Sequence, residues 1–148
     1  MKRLAALALA LLPSAGFAAH VGPCDAAVNA RYLVEPWAEN SATYANGAVR
    51  VALFDNVEPA AAALHLMVIS PPADETGMPQ CRRVSLQEGS GFYSLDFAGR
   101  TAAYDPASGL ILTFPAERHD PDTGAGAPAT LRVTIDQRSG DIAAELSL

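Results

Sequence analysis

Lysine is almost missing from this chain: among its 148 residues only Lys2 occurs. That removes Schiff-base and other lysine-centred chemistry from everything beyond the first residues. Aromatic residues make up only 7%, and most of them fall at inward strand positions, so core packing is their first explanation. Only two cysteines are present, Cys24 and Cys81, with no CxxC and therefore no dithiol redox motif. No HExxH, phosphate-binding glycine loop or GxSxG nucleophile elbow occurs. Gly89-Ser90-Gly91 places its serine in a turn between strand patterns rather than at a strand-to-helix turn. Paired carboxylates such as Asp74-Glu75 and Asp120/Asp122 sit in polar stretches that offer nothing to separate their pKa values. These absences leave catalysis without a motif to carry it.

What is there begins with an export pattern. Lys2-Arg3 is a short basic start, residues 4–12 are an unbroken Leu/Ala-rich run, and small residues follow through Gly16 and Ala18. That order is a secretory signal peptide, and its apolar run is too short for a permanent membrane span. Cleavage after Ala18 puts small side chains at both recognition positions, whereas cleavage after Ala19 puts Phe17 at the outer one. The reading is therefore a signal peptide over residues 1–18 and one exported domain over 19–148. Val21-Gly22-Pro23 before Cys24 is no lipobox. No later stretch approaches membrane length, so no membrane insertion is expected after processing. The compartment indicated is the periplasm, with the extracellular space as the alternative.

Without Lys2 and Arg3 the chain carries eight arginines against sixteen Asp and Glu, a net of −8. Such an acidic balance disfavours nucleic acid and anionic surfaces as partners. In an oxidising compartment the cysteine pair reads as one disulfide, Cys24–Cys81.

Periodicity points to an all-β fold. In residues 130–148, Leu131, Val133 and Ile135 alternate with polar residues. The alternation resumes after the turn Gln137-Arg138-Ser139-Gly140 with Ile142, Ala144, Leu146 and Leu148, the pattern of a half-buried antiparallel hairpin. Asn46-Gly47 is the strongest short hairpin signal available, and Val49, Val51 and Leu53 alternate after it. Residues 64–69 are apolar on both faces, as in a central strand. Strands are also expected at 81–87, at 92–97 with Tyr93, Leu95 and Phe97 inward, at 100–104 and at 110–114. A short helical turn runs into extended chain over 25–37. Seven to nine short strands with turn signals between them describe an antiparallel β-sandwich or small β-barrel with meander connections and at most one short N-terminal helix. Residues 115–129, rich in Gly, Pro and Ala, read as one long connection without an element.

The candidate functional residues follow from this layout. His65, between Leu64 and Leu66, reads as a hydrogen-bonded core histidine. His119 with Asp120 and Asp122 is a weak metal candidate: Asp120-Pro121-Asp122-Thr123-Gly124 begins like a calcium loop but lacks its later ligands. His20 could join copper through its amine and imidazole if the signal were cut after Ala19. Trp37, Phe92 and Tyr104 are candidates to line a pocket, and Phe54 and Phe92 could mark an exposed apolar patch or face a second sheet. No cofactor is expected. The function this supports is a non-enzymatic binding module for a small ligand or an envelope protein. The alternative is a metal-binding protein or small hydrolase using His119 with Asp120 and Asp122.

Overall fold

The computed structural model describes residues 16–148; the basic start and apolar run of the export pattern lie outside them. Two antiparallel sheets pack face to face and do not close into a barrel. The strands are β1 (Gly16–Ala18), β2 (His20–Pro23), β3 (Ser41–Tyr44), β4 (Val49–Asp55), β5 (Leu64–Ala73), β6 (Pro79–Ser85), β7 (Ser94–Leu95), β8 (Thr101–Asp105), β9 (Gly109–His119), β10 (Gly126–Ile135) and β11 (Ile142–Ser147). One sheet runs β2-β6-β5-β4-β3; the other runs β1-β11-β10-β9-β7, with β8 also on β9. Meander connections are present within each sheet, through β3 to β6 and through β8 to β11. The short N-terminal helix reduces to a three-residue 3-10 turn, Ala30–Tyr32, whose Arg31 N–H donates to the Asn29 side chain.

Alternation builds the core. Val49, Val51 and Leu53 on β4, and Leu66 and Val68 on β5, face Leu112 and Phe114 on β9 and Leu131, Val133 and Ile135 on β10. The hairpin anticipated over residues 130–148 is β10 paired with β11, Leu131 opposite Leu146 and Ile135 opposite Ile142. Asn46-Gly47 turns β3 into β4, and Ala45, Asn46 and Gly47 all take positive φ there (52°, 55° and 89°). The first strand element is unusual. Residues 16–23 form the outer strand of both sheets, β1 on β11 and then β2 on β6, and they switch sheets at the buried Ala19.

Two expectations need correction, and one left open is decided. Residues 115–129 are not a long connection: β9 runs to His119 and β10 starts at Gly126, paired Gly126 to His119 through Thr130 to Pro115. Only a short turn separates them. The two prolines are tolerated because of where they fall. The Pro115 and Glu117 carbonyls accept from Asp96 and Tyr93 on the β7 side, so these residues turn their backbone groups away from β10. The pairs Thr130–Pro115 and Pro128–Glu117 are therefore non-hydrogen-bonded ones, and no bond of the β9–β10 ladder needs a proline N–H.

The strand after Gly91 differs only at its start: Leu95 and Phe97 are inward as expected, but Phe92 rather than Tyr93 joins them. Phe92 is fully buried between the sheets, while Tyr93 is only half-buried. A bridge between Leu64 and Phe92, bonded both ways, fixes that start. Of the two readings left open for Phe54 and Phe92, the exposed patch falls away: they are 4% and 0% exposed, and Phe92 packs in the core between the sheets.

A candidate binding cleft at one end of the sandwich

Turns from both sheets meet at one end of the molecule. Tyr44 closes β3 and Ala45 opens the following turn. Opposite them lie Tyr104 near the end of β8, Gly109 and Leu110 at the start of β9, and Asp136, Gln137 and Arg138 in the turn between β10 and β11. Together they enclose a cleft of about 550 Å³, within the range of small-molecule sites.

Each wall is held by specific contacts. The Arg100 Nε donates to the Tyr44 hydroxyl at 3.0 Å and its Nη1 to the Phe97 carbonyl at 2.6 Å. Its guanidinium lies 4.2 Å from the centroid of the Phe97 ring. The Tyr44 phenol is thereby tied back, and the residue lines the cleft. On the opposite wall Arg138 donates to the Ala107 carbonyl at 2.9 Å and to Asp136 at 3.3 Å, bracing one turn against the next. The Asp136 carboxyl is held below the usual carboxylate range, first by the Arg138 backbone N–H and then by its side chain. Both charges at this wall are already engaged. Tyr104 is different: it is 68% exposed, a large aromatic presented to solvent. The cleft thus offers aromatic and apolar surface with a polar rim, and no nucleophile beside a base.

Gly109 makes the wall possible. Its φ is +95°, and a Cβ there would overlap the Ile135 carbonyl oxygen. A Gly109→Ala chain is expected to lose about 2 kcal/mol, from the strained φ and the backbone clash together. Urea denaturation measures it, and an unchanged midpoint would show that the turn relaxes freely.

The structure scatters the pocket residues expected from sequence. Tyr104 lines the cleft, Phe92 lies in the core, and Trp37 is 54% exposed in a separate turn where its carbonyl accepts from Ser41. They do not form one pocket. The metal candidates are not gathered either. His119 stacks on Tyr93 with ring centroids 6.1 Å apart. Asp120 accepts from the Asp122 N–H at 3.0 Å within its own turn, and His20 is on β2 opposite Ser85. Among the described residues no group of three or more His, Cys, Asp or Glu side chains could hold a metal ion. His65 is 4% exposed and its Nδ1 pairs with the Ser85 hydroxyl at 2.9 Å, as a satisfied core histidine should.

Tyr44, Asp136 and Arg138 were missed. Each adjoins a turn signal readable in the sequence, but nothing local says that turns of two different sheets meet.

Fold and bridge define the class: a two-sheet antiparallel β-sandwich stapled by the disulfide Cys24–Cys81. The bridge fits an oxidising, non-cytoplasmic compartment. Among the described residues no helix is long and apolar enough to cross a membrane. No family model, curated protein or solved structure matches this chain.

Proposed function

We propose that this chain is exported through residues 1–18 into a periplasm-type compartment and acts there as a non-enzymatic binding module. Its end cleft receives a small ligand with a flat apolar or aromatic body. The observation that carries this reading is Tyr104, 68% exposed, on the wall of a cleft that Tyr44 also lines. Exposed aromatic surface beside a cavity of this size has more to gain from a stacked ligand than from water. The engaged charges of Arg138 and Asp136 leave hydrogen bonding at the rim to set orientation. The metal or hydrolase alternative has no comparable support, because His119, Asp120, Asp122 and His20 are not brought together.

The test uses the oxidised protein starting at Ala19 and two aromatic fragments, indole and phenylacetate. Amide shifts are expected to cluster at Tyr44, Tyr104, Leu110 and Gln137. Tyr104→Ala should weaken binding about tenfold, the loss of one aromatic contact. Fragments that move no resonance around the cleft, or that bind Tyr104→Ala equally well, would sink the reading.

A further inference from the structure

We infer that processing of the export segment opens a strand-binding slot along β11, and that the slot takes an extended segment of a partner protein carrying an aromatic side chain. This rests on the export reading above but concerns a different site from the cleft. β1 is the outermost strand of its sheet, pairing Gly16 with Ser147, Phe17 with Leu146 and Ala18 with Glu145. All three β1 residues lie upstream of the expected cleavage point. Ala19 stays behind, its N–H on the Ala144 carbonyl at 2.9 Å. Cleavage after Ala18 therefore strips the outer edge of β11 over three residues and leaves the chain end beside the gap.

An open strand edge is a template for another strand. Here it adjoins a recess of mixed lining, with Leu86 and Leu148 as its apolar part. Phe17 lines a pocket of about 300 Å³ together with Leu86, Gln87, Arg118, His119 and Leu148, and the residue itself is 41% exposed. Its departure widens that recess. The segment that fills the slot before processing shows what fits: antiparallel to β11, small at either end and aromatic at the centre. At the Gly16 position a Cβ would sit 3.5 Å from the Leu146 carbonyl oxygen, an ordinary contact, so alanine fits there as well. A second copy is the poorer occupant. Its β11 reads IAAELS, with no aromatic side chain to enter the recess, and two processed chains repel through a net charge of −8 each.

The experiment starts with protein purified after export, whose mass fixes the first residue. Isotope-labelled protein is then titrated with a capped synthetic peptide of residues 13–18, PSAGFA. The expected result is a chain beginning at Ala19 or His20 with shifts at residues 145–148, Leu86, Arg118 and His119. Replacing the peptide's phenylalanine by alanine should weaken binding about tenfold, the worth of one partly buried aromatic side chain. A processed chain whose β11 resonances ignore millimolar peptide overturns the slot alone. So does a processed dimer in which β11 is protected by its twin. An exported chain that retains residues 16–18 overturns the cleavage reading, and the slot with it.

Discussion

Replacing Cys24 and Cys81 together by serine should lower the unfolding free energy by about 4 kcal/mol. The bridge joins residues 57 apart in sequence with Cα atoms 5.4 Å apart. A loop of that length lies between cases worth about 3 and about 4.7 kcal/mol in the chain-entropy account. The closed loop contains β3, β4 and β5 whole, with Val49, Val51, Leu53, Leu66 and Val68 of the core. The bridge also fastens the end of β2, where the Cys24 N–H donates to the Cys81 carbonyl at 3.2 Å and Arg83 pairs with Asp25 at 3.1 Å. That ion pair is too exposed at Asp25 to replace the covalent link. The expected fall in Tm is roughly 10–20 °C for a domain of this size. Scanning calorimetry of the oxidised protein and the double-serine variant measures it. A difference of only a degree or two would mean that the unfolded chain gains little freedom when the link is cut, and that β2 holds its place by pairing alone.

How much of this could be read from the chain depended on whether the information was local. Leu131, Val133 and Ile135 announce β10 because a strand with one wet face must alternate. Asn46-Gly47 announces its hairpin because those residues accept positive φ. The Cys24–Cys81 pairing follows from there being only two cysteines and an export pattern. Residues 115–129 gave the opposite signal, since Gly, Ala and Pro are poor strand formers. They pair because β9 and β10 continue a ladder begun by Leu112 and Val133, and because Pro115 and Pro128 fall where no N–H is required. Tyr93 and Phe92 exchanged roles for a related reason. Leu95 and Phe97 keep the inward face that alternation predicts, but the alternation breaks at Tyr93, and the bridge to Leu64 turns Phe92 inward from a distant part of the sequence. The end cleft was illegible in the strict sense. Tyr44 and Tyr104 lie at or next to the ends of strands in different sheets and Arg138 sits in a turn, so their meeting is a property of the packing.

Acid should destabilise the protein through His65, in a window set by burial. The ring is 4% exposed beside Ser85, and burial lowers its pKa from 6.5 to about 4. The Arg83 cation adds to the effect, and Asp25 and Asp55 oppose it weakly. Gly91 closes over this site, where a Cβ would approach the His65 Cε1 to 2.9 Å, so little room remains for water to solvate an imidazolium. The sign follows from proton counting. Between about pH 4 and 6.5 the unfolded chain binds a proton at this histidine and the folded chain does not. Stability is therefore complete above about 6.5 and falls as the pH drops towards 4. At about 1.4 kcal/mol per pKa unit the whole loss is roughly 3 kcal/mol. Asp74, Asp120 and Asp136 are also shifted, each held low chiefly by a hydrogen bond from its own turn. Their contribution disappears only below the ordinary carboxylate value of 3.8, beneath the histidine's window. Two measurements isolate the effect. The His65 ring carbons, followed by NMR, should stay in the neutral state down to about pH 4. A His65→Asn chain keeps a polar partner for Ser85 and should lose the slope between pH 6.5 and 4, whatever its constant cost at neutral pH. Titration of the ring near 6.5, or an unchanged slope in the variant, would place the acid sensitivity elsewhere and mean that the Ser85 pair opens to water in the folded state.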